Sequence, residues 1–289
     1  MFNAESYKKI SDIVRGDVET TEKLIGKTVP EGNSLYESLF DFVMAPSKRI
    51  RSVLTFLYLR ARGFEINRDV YEILALVELI HNASLIHDDV IDNDAVRRNT
   101  QSINAKFNNK IAVISGDYLL AMVMKKLTDI GKIELFKIFS KTIRCMCEGE
   151  LNQYINLNRI TSLDNYIEKT YKKTGSLFEA AVTSAVFTVN GKMDEASGEF
   201  GRNFGIAFQI NDDLENVIND SRDIADGIYN APVIFSGDKN ITETGIEKTK
   251  ILLNNYLDNT RRCVEYLDDS VYKSMILELL DLFNGHRIN

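Results

Sequence analysis

The chain has 289 residues, 44% hydrophobic and 27% charged, with 35 lysines and arginines against 42 aspartates and glutamates for a net charge of −7. This apolar content supports a large core and excludes a disordered chain, and the acidic balance argues against a nucleic-acid partner, which usually needs a basic face. The 3 prolines and 16 glycines fall below the roughly 14 and 20 of average usage, which argues against a turn-rich all-β fold.

Apolar residues recur at three- and four-residue steps, as in Val70, Ile73, Leu74, Val77, Ile80 and Leu85, and strand-like alternation is nowhere sustained. The periodicity predicts helices over 4–24, 34–43, 48–62, 67–91 and 111–128, then over 131–156, 162–189, 192–218, 246–267 and 270–284. Gly63, the Asn108-Asn109 pair, Gly131, Gly191 and Gly285 stand at breaks, where a left-handed C-cap is wanted. Two polar stretches, 92–110 and 219–245, lack periodicity, and each directly follows an aspartate-rich segment. No linker, repeat or low-complexity stretch divides the chain, so one all-α domain over 1–289 is expected. The three cysteines, Cys145, Cys147 and Cys263, make neither a disulfide framework nor a CxxC zinc pair. No signal-peptide pattern and no span of about 18 uncharged apolar residues is found. A reduced, cytoplasmic protein without a membrane span is expected.

Three clusters carry chemistry. Asp88 and Asp92 share one face at the end of an apolar helix, with Asp89 between them. Clustered oxygen ligands suit Mg²⁺; a solvated acidic helix end is the alternative. Gln209, Asp212, Asp213 and Asn216 share a face at the end of a second apolar helix. Facing the first cluster across a cavity, they would hold several metal ions. The basic residues Lys48, Arg49, Arg51, Arg97, Arg98, Lys172 and Lys173, the last followed by Thr174 and Gly175, fit a polyanionic ligand. Each alone is more often a solvated surface charge. His81 lies seven residues before Asp88 on the same face; a satisfied core histidine is the alternative. Glu78 and His81 form a Glu-x-x-His pair, but a di-iron bundle needs a second, which neither His87 nor His286 supplies.

In this order the segments resemble the trans-prenyl diphosphate synthases, the polyprenyl synthetase family. Lys48-Arg49-Ile50-Arg51 is similar to its GGKRxRP motif, and Glu78 to Asp92 followed by Arg97-Arg98 to its first aspartate-rich motif, DDxxD then RR. Gly116-Asp117-Tyr118-Leu119, Lys173-Thr174-Gly175 and Gly205 to Asp213 match further blocks, so the resemblance covers about residues 45–232. It implies an all-α bundle around a deep central cavity, usually homodimeric, that condenses isopentenyl diphosphate with an allylic diphosphate. Catalytic roles fall to Asp88, Asp92, Lys173 and Asp212. Two or three Mg²⁺ ions would be held by Asp88, Asp89, Asp92, Asp212, Asp213 and Asn216. Lys48, Arg51, His81 and Arg98 would bind isopentenyl diphosphate; Arg97, Lys173, Thr174 and Gln209 would bind or flank the allylic diphosphate. Ala83 and Ser84, small residues one turn before Asp88, would permit a product longer than C15.

The chain departs from the family at Pro46-Ser47, which stand where two glycines are usual, and at Ser52, which replaces a proline. Asn216 stands where the second motif has a third aspartate. In the stretch matching DLxxGKxTLP, Ile228 replaces the lysine and Asn230 the threonine, with Arg222 the cation nearest in sequence that could compensate. These departures keep two other readings open: a weakly active or non-catalytic subunit of a heteromeric synthase, and a class I terpene cyclase on the same fold.

Overall fold

The computed structural model describes residues 4–30, 32–219 and 222–283. The first half runs α1 (Ala4–Asp12), α2 (Arg15–Gly26), α3 (Ser34–Met44), α4 (Ile50–Ala61) and α5 (Arg68–Ile91). A short antiparallel ribbon follows, β1 (Val96–Arg97) and β2 (Thr100–Gln101), pairing Val96 with Gln101 and Arg97 with Thr100. Then come α6 (Ile103–Lys106), α7 (Asn109–Ile130), α8 (Ile133–Ile155) and α9 (Leu163–Thr170). A π turn (Tyr171–Gly175) leads into α10 (Ser176–Asn190), which is followed by α11 (Glu195–Asn219). The chain closes with α12 (Arg222–Ala225), α13 (Ala231–Ser236), α14 (Glu243–Glu265) and α15 (Val271–Asp281).

The helix ends follow local chemistry. Gly63, Gly131 and Gly191 take φ of 72°, 71° and 71°, the left-handed stop expected of them. Asn108 works at the opposite end of a helix: its backbone is extended and its side chain accepts from Ile111 N, so it is the N-cap of α7 rather than a C-cap. Gly285 lies outside the described residues. The helix expected over 4–24 breaks at Val14, whose φ and ψ of −118° and 19° are not helical; Ile10 and Val14 are both buried on either side of the kink.

α5 is the central helix, packed against α2, α7 and α10; α10 in turn meets α4, α8 and α11. One continuous cluster of buried apolar side chains runs from Tyr7 to Phe283. By length and composition α5 alone among the described helices is apolar enough to cross a membrane, but 67% of its most apolar window is buried among its neighbours. The fold is thus all-α apart from the ribbon, and its two aspartate-rich segments close α5 and α11, two of its most buried helices.

The π turn interrupts the helix expected over 162–189, and two neighbouring helices pack directly onto it. A Cβ on Gly149 of α8 would lie 2.6 Å from Lys173 N, and one on Gly205 of α11 would lie 2.7 Å from the Gly175 Cα. Glycines on two flanking helices therefore clamp the backbone of the turn. Such π bulges occur mainly as single turns and often at functional sites.

Candidate active site

At the end of α5 the three aspartates diverge. Asp89 is 1% exposed and accepts from Arg97 Nε at 2.6 Å, while Arg97 Nη2 donates to Asp94 at 3.0 Å. Asn104 Nδ2 donates to the Asp89 carbonyl at 3.0 Å, so Arg97 of the ribbon and Asn104 of α6 both bond to the helix end. Asp88 and Asp92 instead share the field of Lys173 and Glu150. Burial pushes the Asp88 carboxyl up to about 6, against the opposing pull of Lys173 and with added repulsion from Glu150 and Asp92. His87 Nε2 lies 3.2 Å from the Val113 carbonyl, and Gly116 leaves room for its ring: a Cβ there would collide with the imidazole. That is the local reason for glycine in the Gly-Asp-Tyr-Leu block.

At the end of α11, Asp213 is 4% exposed and accepts from Tyr166 Oη at 2.6 Å and Gln209 Nε2 at 2.9 Å. Thr174 Oγ1 donates to Gln209 Oε1 at 2.7 Å, and Lys173 Nζ meets Glu150 Oε2 at 2.5 Å. Burial pushes Asp212 up to about 7; Asp213 and Glu215 add to this, and Lys48 and Arg51 oppose it. Asn216 donates through Nδ2 to Asp223 at 3.2 Å, leaving its buried Oδ1 without a partner.

The basic group sits between α4 and α5. The Arg51 guanidinium lies 4.6 Å above the Phe178 ring, its Nε is buried without a partner, and burial lowers it to about 10. His81 is held well below 6.5 by burial and then by Arg51 and Arg98, so it is neutral at neutral pH. Arg98 Nη1 donates to Asn82 Oδ1 at 3.3 Å. Lys48 is exposed at the start of this segment. Arg49 plays a different part. It is 4% exposed with φ of 46°, and it donates to Glu22 at 3.1 Å, to Glu78 at 3.3 Å and to the Val43 carbonyl at 2.8 Å. Ser52, in the position of the family's proline, donates to Glu78 Oε1 at 2.8 Å. Glu78 and Arg49 are thus one buried anchor of the loop that presents Lys48 and Arg51.

A cavity of about 160 Å³ brings together Asp92, Lys173, Thr174, Gln209 and Asp213. Asp88 and Asp212 do not line it: Asp88 lies in the field of Lys173, and Asp212 lies in the fields of Asp213, Lys48 and Arg51, so the basic group of Lys48, Arg51, His81 and Arg98 reaches Asp212. Ala83 is fully buried and Ser84 half-buried on α5 before Asp88. Four residues that sequence reasoning did not select also belong here: Glu150, Lys169, Asp223 and Asn230. The only available signal was Asp223 and Asn230 falling in the eroded DLxxGKxTLP stretch. Arg222 is exposed on α12 and is not among the residues lining the cavity.

Among the described residues no three His, Cys, Asp or Glu side chains converge tightly enough to grip an ion as they stand. The donor set nevertheless fits a hard divalent cation. It is oxygen-only, Asp88 and Asp212 carry carboxyls destabilised by burial and neighbouring acids, and the Asn216 Oδ1 is buried and unpaired.

The chain matches the family model described as Polyprenyl synthetase over residues 33–275. It is 34% identical over 239 residues to the decaprenyl-diphosphate synthase of Dictyostelium discoideum, covering 79% of this chain but only 52%, about half, of that protein. A decaprenyl diphosphate synthase from Rhodobacter capsulatus superposes with a TM-score of 0.86 at 25% identity, covering 98% of this chain and all of that one. A polyprenyl synthase from Caulobacter crescentus, complexed with calcium and isoprenyl diphosphate, superposes with a TM-score of 0.84 at 22% identity over 96% and 97% of the two chains. With its aspartates at the ends of two core helices and its fold shared over nearly its whole length, the chain belongs to the polyprenyl synthetase family.

Proposed function

We propose that this protein is a Mg²⁺-dependent prenyltransferase that condenses isopentenyl diphosphate with an allylic prenyl diphosphate to give a product longer than C15. The observation that carries the reading is the division of the site. Acids from the ends of α5 and α11 meet Lys173, Thr174 and Gln209 around one cavity, while Arg51, His81 and Arg98 cluster beside it, with Arg51 in the fields of Glu78 and Asp212. Two diphosphates, of which only one leaves, call for this asymmetry. The leaving group needs cations that neutralise developing charge, and the other needs only to be held.

Asp88, Asp92 and Asp212, with the Asn216 Oδ1, would hold Mg²⁺, two or three ions by family resemblance. Asp89 and Asp213 are occupied by Arg97 and by Tyr166 and Gln209, and they orient the two helix ends. Bound Mg²⁺ would draw charge from the allylic diphosphate and make it a better leaving group. Lys173 and the Thr174–Gln209 pair bind that diphosphate, and Arg97 braces the ribbon beside it. Lys48, Arg51 and Arg98 hold isopentenyl diphosphate, with neutral His81 available for a hydrogen bond. The isopentenyl double bond attacks the allylic cation, forming the new carbon–carbon bond. The proton then lost from the adjacent carbon goes to the released diphosphate, so no protein nucleophile is consumed. The apolar walls of α5, α7 and α10 keep water from the cation. Ala83 and Ser84, small residues one turn before Asp88, would permit a long product, and the relatives named as decaprenyl synthases agree with one.

A second copy of the chain is the partner we propose. It rests on the family resemblance; α7 and α8 leave Val113, Ile114, Ile133, Phe136, Leu151 and Tyr154 exposed. The three free thiols agree with a reducing, cytoplasmic setting. The test is incorporation of labelled isopentenyl diphosphate with each of C5, C10, C15 and C20 allylic diphosphates, with and without Mg²⁺. Incorporation that needs both substrates and the metal is expected. Consumption of the allylic diphosphate alone would indicate cyclisation, and inertness until a second synthase is added would indicate a partner subunit.

A further inference from the structure

Ile228 removes a lysine from the stretch that reaches over the allylic side, yet the cavity it lines is not short of a second ammonium. Lys169, from the last turn of α9, lines the same cavity as Ile228 and Lys173. Both Lys169 and Ile228 also border the smaller adjoining cavity beneath Tyr229. We propose that Lys169 supplies to the allylic diphosphate the positive charge that Ile228 cannot, so that the site's second lysine has moved from the loop to the helix. This rests on the function proposed above.

The second departure in the same stretch supports the exchange. Asn230, which replaces the threonine, accepts from Lys169 Nζ at 2.8 Å, and its own Nδ2 donates to Asp223 at 2.7 Å. The substituted loop therefore seats the new lysine instead of carrying one. The ammonium has three protons and Asn230 takes one. The Lys169 Nζ lies 5.3 Å from the centre of the Tyr166 ring, whose hydroxyl fixes Asp213. Lys169 and Lys173 stand four residues apart and serve one cavity, an arrangement in which like charges repel unless anions lie between them. Asp213, Asp223 and Glu150 provide that balance in the free protein. Once Mg²⁺ takes up carboxylate charge, the two ammoniums are left for a polyanion. A purely structural lysine, present only to neutralise Asp213 and Asp223, is the competing explanation.

The experiment compares wild type, Lys169→Met and the double variant Lys169→Met/Ile228→Lys. Calorimetry with inorganic pyrophosphate and Mg²⁺ gives affinity without turnover; steady-state kinetics give KM for each substrate; thermal unfolding reports folding. Lys169→Met should weaken pyrophosphate and raise the allylic KM by about tenfold or more, while the isopentenyl KM stays within about twofold. Adding Ile228→Lys should restore most of the loss. Unchanged pyrophosphate affinity in Lys169→Met would overturn the proposal. So would a loss that tracks a lowered Tm and is not recovered by Ile228→Lys. If the wild type binds pyrophosphate through Lys169 but makes no product, the prenyl-transfer reading fails and the assignment of Lys169 stands.

Discussion

Asp212→Asn removes a charge that the folded, metal-free protein holds at a cost. The Asp212 carboxyl is pushed from 3.8 to about 7, first by burial and then by Asp213 and Glu215. The folded state therefore binds a proton more tightly than the unfolded chain. Stability is fully present below pH 4 and declines as pH rises from there through 7, by ~1.4 kcal/mol per pH unit for one such group. Across that window the penalty reaches on the order of 4 kcal/mol at pH 8 and only about 1–2 kcal/mol at pH 5. Asn keeps the shape and removes the penalty. In EDTA, Asp212→Asn should raise Tm at pH 8 by on the order of 5–10 °C, should gain much less at pH 5, and should lose most of the stabilisation that Mg²⁺ gives the wild type. Thermal unfolding of both proteins at pH 5 and 8, with Mg²⁺ or EDTA, reads all three effects. A variant less stable than wild type in EDTA at pH 8, or an increment independent of pH, would refute the reasoning.

Further substitutions test the scaffold and the product. Gly149→Ala forces a Cβ against the backbone of Lys172 and Lys173; denaturant unfolding should show a loss of about 1–3 kcal/mol, and kcat should fall because Lys173 moves. Arg49→Met leaves Glu78, 2% exposed, with its charge uncompensated by its buried partner, and should cost about 3–5 kcal/mol by the same measurement. Tyr166→Phe strips Asp213 of a 2.6 Å hydrogen bond and should cost about 1–3 kcal/mol, with weaker Mg²⁺ affinity by calorimetry. Ser84→Phe puts a bulky ring one turn before Asp88 and should shorten the product on reversed-phase chromatography without abolishing incorporation of isopentenyl diphosphate.

The sequence was most informative where a short-range pattern decides structure. The apolar steps leading to Asp88 and Asp212 place Ile86 and Ile210 in the core, fully buried, with the carboxylates emerging after them. Adjacent residues on such a helix face different ways, and periodicity does not say what each meets. Asp88 and Asp89 look alike in sequence, yet one borders Lys173 and the other is sealed by Arg97. Asp213 is likewise distinguished from Asp212 by Tyr166, which lies 47 residues away. The π turn was not legible, and the glycines that pack onto it, Gly149 and Gly205, lie on other helices. Lys169 reads as one more surface charge in Tyr166-Ile167-Glu168-Lys169 until Asn230, 61 residues on, is brought against it. Asn108 was assigned to the wrong end of a helix because asparagine favours both caps, and only the extended backbone at that residue separates them.

The most direct measurement is to incubate the purified chain alone with Mg²⁺, isopentenyl diphosphate and a C15 allylic diphosphate, and to size the dephosphorylated products. The account predicts a discrete product longer than C15 that disappears with EDTA. A folded protein that binds pyrophosphate with Mg²⁺ yet incorporates no isopentenyl unit would contradict it.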